Sequence, residues 1–184
     1  IGQLYVASEP AQLASVDVTT IQSWNRLLIQ NGVIELVPPY HTNLNKRLIK
    51  SPKLYFQDAS LAVRLQGWTE FRPIYASPQM GHVFENLVFT EIHRFFINRC
   101  QPPKIFHLRS KEKVEVDFLV ELPNQRYVAV ESKLNPQEFT QAQSKLLDSL
   151  DLNVTAKICV SATNTLPLAT CYSVAIADLW TSLL

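Results

Sequence analysis

The charged residues Asp117, Glu131 and Lys133 stand in two mainly apolar segments of the chain. Asp117 interrupts residues 114–120, and Glu131 and Lys133 end residues 127–133. Alternate residues of a β-strand point to the same face, so Glu131 and Lys133 share a face if their segment is a strand. Asp117 can reach that face from the preceding strand of a hairpin. Two carboxylates and an ammonium group would then converge on one point, which a hydrophobic core does not favour.

This convergence has a chemical and a structural interpretation. Carboxylate oxygens are the preferred ligands of hard divalent cations, and a water molecule held by such an ion and a lysine becomes a nucleophile. Alternatively, Glu131 and Lys133 form a solvent-facing ion pair worth about 0–1 kcal/mol, and Asp117 is an ordinary charge on an edge strand. The apolar neighbours at matching positions favour the metal site.

The composition indicates a globular protein. The chain has 184 residues, of which 47% are hydrophobic and 18% charged, enough for one ordinary domain or one domain with a small appendage. No run of about 18 apolar residues occurs, so the sequence predicts no membrane span. The net charge is +1, so a nucleic acid would have to be held by a local basic patch.

The cysteines and the first residue bear on the location and extent of the protein. Cys100, Cys159 and Cys171 lack metal-binding spacing, and thiols in a reducing cytoplasm are their simplest interpretation. The sequence begins at Ile1 rather than at a methionine. We therefore expect a cytoplasmic protein and interpret the chain as a piece of a longer polypeptide.

The first third of the chain has helical patterns followed by strand patterns. The expected elements are a helix over 11–15, a helix from Asp17 or Thr19 to Asn31, a strand over 33–37, a strand pair around Leu48 and 54–56, and a short helix capped by Asp58. Helix, turn, helix and hairpin in this order is a winged-helix pattern. We predict a winged-helix-like α+β domain over residues 1–66, incomplete at its N-terminus.

The remaining residues, 67–184, are predicted to form a second domain. Its strongest helix, from about Gly81 to Asn98, has a broad apolar face and carries Glu85 near its start. After this helix the hydrophobic period changes to two. The elements expected there are strands over 104–109, 113–121 and 126–133, a helix over 138–150, strands over 156–160 and 172–176, and a final short helix capped by Asp178. The predicted fold class is α/β, with a mixed central sheet flanked by helices.

The element order resembles that of the PD-(D/E)xK nucleases, which have the restriction-endonuclease-like fold. An Asp on the second strand, Glu-x-Lys on the third and a preceding helix with Glu85 carry this resemblance, over about residues 81–177. A closer resemblance covers nearly the whole chain. Residues 53–58 (KLYFQD), 81–88 (GHVFENLV) and 115–118 (EVDF) are similar to the C-terminal domain of unknown function of many prokaryotic AAA-type ATPases. In that family the ATPase precedes a winged helix and a nuclease-like domain.

The resemblance implies a role for each residue of the candidate site. Asp117 and Glu131 would bind Mg²⁺ or Mn²⁺, with the backbone carbonyl of Ser132 as a third oxygen ligand. Glu85 would add a ligand or hold a metal-bound water, and Lys133 would orient the attacking water or help to deprotonate it. Metal and lysine would stabilise the charge that develops in an in-line phosphodiester displacement.

A basic cluster lies where the wing of a winged helix is expected. Its members are Lys46, Arg47, Lys50 and Lys53. Such a cluster binds phosphates in a salt-dependent manner, and Arg109 could contact another phosphate. The alternative, given equal weight, is a solvated hairpin or a docking face for the ATPase. With glycines only at positions 2, 32, 67 and 81, no phosphate-binding loop can be written, so we predict no ATP site in this chain.

These observations lead to three functional hypotheses. The first is a divalent-metal-dependent nuclease-like domain that acts on DNA and is tethered to an AAA-type ATPase. The second is an inactive nuclease fold that serves as a DNA-binding or regulatory module of the ATPase. The third is a protein-interaction scaffold that needs neither DNA nor metal. The expected partners are DNA and the ATPase domain of the same polypeptide, and a membrane is not among them.

Overall fold

The computed structural model describes residues 1–40, 48–162, 166–167, 172–176 and 179, which form two sheets with helices around them. In chain order the elements are β1 (Gln3–Leu4), α1 (Ser8–Ala14), α2 (Val18–Gln30), β2 (Ile34–Val37), β3 (Lys53–Phe56), α3 (Ala59–Leu65), α4 (Phe71–Tyr75), α5 (Met80–Ile97), β4 (Ile105–Arg109), β5 (Glu115–Leu122), β6 (Arg126–Lys133), α6 (Gln141–Asp148), β7 (Asn153–Ser161), β8 (Leu166–Pro167) and β9 (Tyr172–Ala175). The prediction of a mixed α/β fold is confirmed. Among the described residues, no helix has the length and apolar character needed to cross a bilayer.

The small sheet is antiparallel, with strand order β1-β3-β2. Asp17 precedes α2 with an extended backbone, as an N-cap does, although its side chain makes no capping hydrogen bond. The chain leaves α2 through Gly32, whose φ of 65° favours glycine. The strand pair predicted around Leu48 is wrong, because Leu48 forms a bridge with Ser110 whereas β3 pairs with β1 and β2.

Two polar side chains position the helices that follow β3. Asp58 caps α3 as predicted, since its carboxylate accepts a hydrogen bond from Ser60 N at 2.7 Å. Asn86 of α5 is buried and bonds the backbone of Phe56, accepting from its N–H and donating to its carbonyl, each at 2.8 Å. The long helix α5 is thereby fixed against the end of β3.

The large sheet has strand order β4-β5-β6-β7-β9-β8. Strands β4, β5 and β6 are antiparallel, whereas β6, β7 and β9 are parallel. The parallel pair β6 and β7 requires a crossover connection, which contains α6. The strand and helix order predicted for 104–176 agrees with the structure, with small shifts of the boundaries, except that the short strand β8 was not predicted. The predicted final helix, from Asp178, lies outside the described residues except for position 179.

The two faces of the large sheet pack in separate apolar clusters. Phe118 and Val130 belong to the cluster that contains α5, and Leu119 and Ala129 belong to the cluster that contains α6 residues. Neighbouring residues therefore enter opposite clusters, as the period of two requires. The sheet is covered by helices on both faces, and the motif residues lie within it.

The two predicted domains share part of one core. Val37 of β2 and Tyr55 of β3 lie in the same buried cluster as α5 and the large sheet. Tyr40 N donates to His107 O at 2.8 Å, and His107 N donates to Pro38 O at 3.0 Å, so the segment after β2 runs beside β4. Core packing and main-chain hydrogen bonds thus cross the boundary predicted between residues 66 and 67.

Candidate acidic site

The Asp…Glu-x-Lys motif lies on two neighbouring antiparallel strands. Phe118 of β5 is paired with Val130 of β6, which puts Asp117 next to Glu131. Glu131 Oε2 accepts a hydrogen bond from Asp117 N at 3.3 Å, and Glu131 Oε1 lies 2.8 Å from Lys133 Nζ. Both carboxylates are buried, whereas 40% of the Lys133 side chain is exposed. The structure therefore brings these three predicted residues together where β5 begins and β6 ends.

A β-bulge and a serine determine the position of Asp117. The register between β4 and β5 shifts so that Asp117 and Phe118 both lie opposite His107, and a bulge of this kind redirects a side chain. Asp117 Oδ2 accepts hydrogen bonds from Ser132 N at 2.9 Å and from Ser132 Oγ at 2.7 Å. Ser132 thus orients the carboxylate through its donors, while the ligand role of its carbonyl stays a prediction.

A buried lysine outside the motif lies at the centre of the acidic residues. Lys53 of β3 is only 1% exposed. Its Nζ lies 2.8 Å from Glu85 Oε1 and 3.7 Å from Asp117 Oδ1, and it also contacts Glu115 Oε1. This corrects the prediction that Lys53 belongs to a phosphate-binding cluster, because so buried a side chain cannot contact DNA. Glu115 is also part of this site through its contact with Lys53, although the sequence did not predict it.

The alternation of β3 explains why Lys53 points inward. Lys53 and Tyr55 are two residues apart and are both fully buried, whereas the residues next to them are half-buried. Tyr55 stacks on Phe89 of α5, with ring centroids 4.7 Å apart, so its side of β3 faces the core. A lysine two positions before a core aromatic residue was the signal in the sequence that could have revealed this position.

Glu85 is held by donors from β3 and enclosed by the N-terminal strand. Besides the Lys53 ammonium, the Tyr55 hydroxyl donates to Glu85 Oε1 at 2.5 Å. A Cβ atom on Gly2 would lie 2.9 Å from Glu85 Oε2, so the backbone approaches this carboxylate closely. These contacts are those of an internal ion pair, and they disfavour the predicted role of Glu85 as a metal ligand.

Burial and neighbouring charges disfavour ionisation of the two motif carboxyls. Burial, together with nearby carboxylates, raises the pKa of Asp117 to about 8. Burial also raises the pKa of Glu131, although the Lys133 ammonium opposes this effect. Both carboxyls therefore bind a proton more tightly than an exposed carboxyl does, and a bound cation would have to displace that proton.

Lys53 and Glu85 stabilise each other's charged form instead. Burial opposes ionisation of Lys53, but the three surrounding carboxylates raise its pKa above the ordinary value. Burial also opposes ionisation of Glu85, but His82 and Lys53 lower its pKa overall. This half of the acidic cluster is thus neutralised by a permanent internal cation.

The residues present fit a divalent ion only in part. In the portion of the chain that the structure describes, no group of three or more His, Cys, Asp or Glu residues is arranged to hold a metal. Asp117 and Glu131 provide neighbouring carboxylate oxygens, and Mg²⁺ is commonly held by one or two carboxylates together with several waters. The donor chemistry of this pair therefore fits, whereas Glu85 is engaged by Lys53.

The predicted phosphate-binding residues do not form one surface within the described chain. Lys46 and Arg47 lie outside the described residues, and Lys50 is exposed. Arg109 Nη1 lies 2.8 Å from Glu115 Oε2. Arg109 thus joins the charge network of the acidic site, and its predicted phosphate contact stays a prediction.

This fold and charge network define a mixed α/β protein with a buried acidic site between its two sheets. Residues 80–176 match the family described as a domain of unknown function (DUF4143). The match covers more than half of the chain, and the chain belongs to this family. Residues 1–72 match a second family, also described as a domain of unknown function (DUF8612). The predicted resemblance to a domain of unknown function is confirmed, and DUF4143 is commonly associated with AAA-type ATPases.

Two curated relatives are similar to part of the chain. They are uncharacterized proteins of Mycobacterium bovis and Mycobacterium tuberculosis, each 28% identical over 126 residues. The matched region covers 68% of this chain but only 28% of each relative, so the chain spans well under half the length of the relatives it matches. No solved structure matches the sequence.

Proposed function

We propose that this chain is a divalent-metal-dependent nuclease-like domain that cleaves DNA phosphodiester bonds as the C-terminal part of a cytoplasmic AAA-type ATPase. The observation that carries the proposal is the convergence of Asp117, Glu131 and Lys133 at one end of two neighbouring strands. A helix, three antiparallel strands, a crossover helix and a parallel strand surround them, which supports a restriction-endonuclease-like core. We assign the winged-helix-like role to residues 1–66.

Asp117 and Glu131 would hold the ion, because their adjacent carboxylates are hard oxygen donors. Ser132 keeps Asp117 in place through two hydrogen bonds to one oxygen. When bound, Mg²⁺ or Mn²⁺ would activate a water and neutralise charge on the phosphate. The carbonyl of Ser132 is the candidate third ligand.

Lys133 supports the reaction as a charge rather than as a base. Burial lowers the pKa of Lys133, but the charge and hydrogen bond of Glu131, together with Asp117, raise it overall, so its ammonium stays protonated at neutral pH. Its side chain is 40% exposed, so the ammonium, which Glu131 Oε1 holds at 2.8 Å, can approach a phosphate. The ammonium would orient the attacking water and offset negative charge in the transition state.

The test is cleavage of plasmid, linear duplex and single-stranded DNA with Mg²⁺ or Mn²⁺. We expect Glu131→Gln and Lys133→Ala to abolish cleavage while the far-UV circular dichroism stays unchanged. The matched controls are Glu121→Gln and Lys104→Ala, which remove an ion pair of 2.6 Å elsewhere on β5 and the adjoining segment. Unchanged cleavage in either site variant, or no cleavage with any DNA form and either ion, would overturn the proposal.

The alternative function is an inactive nuclease fold that binds DNA or regulates the ATPase. Its support is the Lys53 ammonium, which neutralises carboxylates without any metal. A Mn²⁺ titration of thermal stability separates the two, because an ion that binds the folded chain raises the melting temperature. No shift, together with salt-dependent DNA binding that Lys46→Glu/Arg47→Glu removes, would favour the alternative.

A further inference from the structure

A turn that carries two exposed lysines joins β4 to β5 beside the acidic site. Lys111 and Lys113 stand just before Glu115, the first residue of β5. Lys133 ends β6, and because β5 and β6 are antiparallel, the start of β5 and the end of β6 lie at the same end of the sheet. The turn is therefore at the sheet end where the acidic residues converge.

Hydrogen bonds hold this turn in one conformation. Ser110 N donates to Val114 O at 2.8 Å, Lys113 N donates to Ser110 O at 3.1 Å, and Val114 N donates to Ser110 Oγ at 3.3 Å. Lys113 has a φ of 64°, in the left-handed region that glycine and asparagine adopt more easily. The backbone alone would favour glycine here, which points to a role for the lysine side chain.

Two further exposed lysines lie beside the turn. Ile49 N donates to Arg109 O at 2.8 Å, which places Lys50 next to the turn. Lys145 of α6 and Ser110 line the same cleft, which has a volume of about 360 Å³. These exposed lysines form a surface that we call the basic edge, made of Lys50, Lys111, Lys113 and Lys145.

The basic edge carries positive charge that its neighbours do not neutralise. Within the part of the chain that the structure describes, none of its four lysines forms an ion pair. Lys133, by contrast, is paired with Glu131. Glu112 lines the same cleft and Glu138 is exposed shortly before α6, so this surface has an excess of two positive charges.

We propose that the basic edge binds the phosphate backbone of duplex DNA and brings it to Asp117, Glu131 and Lys133. This inference rests on the proposed function, because it names the surface by which the same site holds its substrate. Ammonium groups in water bind phosphates by releasing the counterions of the DNA. Contacts of this kind position a duplex without reading its bases, so the basic edge binds DNA of any sequence.

The test is the affinity for a fluorescently labelled DNA duplex, measured by anisotropy in the presence of a chelator over a range of salt concentrations. The slope of log K against log [salt] should lose about 1 in magnitude for each lysine removed. We therefore expect a loss of about 2 in Lys111→Gln/Lys113→Asn and of about 1 in Lys145→Gln. Asparagine is used at position 113 because it tolerates the left-handed backbone.

The matched control is Lys104→Gln/Arg126→Gln, which also removes two positive charges but at the other end of the sheet. Lys104 pairs with Glu121 near the end of β5, and Arg126 begins β6. This control should keep the wild-type slope. An equal loss in the control would overturn the inference, because net charge rather than the basic edge would then govern binding.

The remaining outcomes separate this inference from the proposed function. DNA binding that depends on the basic edge, without cleavage in any metal ion, would support the inference and count against the proposed function. Cleavage together with a slope that the edge variants leave unchanged would overturn the inference and leave the proposed function standing. Absence of binding by the wild type at low salt would also overturn the inference.

Two further results decide the inference alone. Binding that Lys46→Glu/Arg47→Glu removes and the edge variants keep would overturn it. If circular dichroism shows that the double variant at the turn is unfolded, Lys145→Gln on α6 decides, and an unchanged slope in that variant overturns the inference.

Discussion

At the scale of single residues, the site is governed by how each buried carboxylate is compensated. Glu85 has the Lys53 ammonium and the Tyr55 hydroxyl within hydrogen-bond distance, so its charged form is favoured. Asp117 has hydrogen bonds from Ser132, but its burial and the acidic groups around it raise its pKa to about 8. Two buried carboxylates thus differ in protonation because the Lys53 ammonium lies 2.8 Å from Glu85 but 3.7 Å from Asp117, which has acidic neighbours as well.

The raised pKa of Asp117 predicts that stability falls between pH 6.5 and 8.5. The pKa of an aspartate in the unfolded chain is about 3.9, so the folded chain holds this proton more tightly. The contribution of the Asp117 carboxyl to the free energy of unfolding is fully present below its pKa in the unfolded chain, and it is lost as the pH rises through about 8. Urea unfolding in the presence of a chelator should show a lower midpoint at pH 8.5 than at pH 6.5, and Asp117→Asn should reduce this difference.

Buried His107 is the reason why the comparison starts at pH 6.5. Burial lowers the pKa of His107 to about 4, so the folded chain binds this proton less tightly than the unfolded chain, and this group destabilises the fold as the pH falls.

Glu121→Gln is the matched control for Asp117→Asn, because Glu121 lies on the same strand but is paired with Lys104 at the surface. Equal pH dependence in Asp117→Asn and the wild type would contradict the assignment.

At the scale of elements, the acidic site depends on two sets of contacts, one between α5 and β3 and one between α6 and β5. Asn86 of α5 bonds the backbone of Phe56 at the end of β3. Gln143 of α6 donates from its side chain to the carbonyl of Glu115 at 2.8 Å, beside the start of β5. The same glutamine completes a capping box with Thr140. The start of α6 is therefore coupled to β5, the strand that carries Glu115 and Asp117 of the site.

This coupling predicts a measurable cost for removing the cap of α6. The Thr140 hydroxyl accepts a hydrogen bond from Gln143 N at 3.2 Å, and replacing such a cap by alanine costs about 0.5–2 kcal/mol. Thr140→Ala should lower the free energy of unfolding by this amount in urea titrations. Ser23→Ala, whose hydroxyl bonds Thr19 O within the exposed helix α2, is the control and should change it by less than about 0.5 kcal/mol. Equal losses would show that the cap has no special role.

At the scale of the whole molecule, the two family regions are joined through their cores and through the site. Lys53 and Tyr55 come from the region of residues 1–72, whereas Glu85 and Asp117 come from residues 80–176. Val37 of the first region packs in the core cluster of the second. The acidic site is therefore complete only when both regions are docked.

Shared packing predicts that both regions unfold in one transition. In a Trp68→Phe/Trp180→Phe variant, the remaining Trp24 on α2 reports on the first region through fluorescence, and circular dichroism reports on the helices and strands of both regions. The two signals should give the same urea midpoint, as two-state unfolding requires. Tyr55→Ala should lower both midpoints together, by about 3–5 kcal/mol in free energy if it behaves as a large aromatic truncation in a core. Separate midpoints for the two signals would contradict a shared core.

Local patterns in the sequence predicted most of the elements and the acidic motif, although not β1, α4 or β8. Alternation on β5 and β6 predicted that Asp117, Glu131 and Lys133 would meet, because antiparallel neighbours repeat that alternation in register. Helical spacing predicted α5 with Glu85, and Asp58 predicted the start of α3. These are local properties, since each depends on residues close together in the chain.

Which cation meets those acids depends on contacts between distant parts of the chain. Lys53 was assigned to a solvent-exposed basic cluster from its neighbours in the sequence, but β3 lies between β1 and β2 and turns it into the core. Leu48 pairs with Ser110 rather than with β3, and the bulge at Asp117 depends on the register with β4. Each of these features comes from pairing between segments far apart in the chain, and the energy that selects such pairing comes from burial and hydrogen bonding across the whole fold.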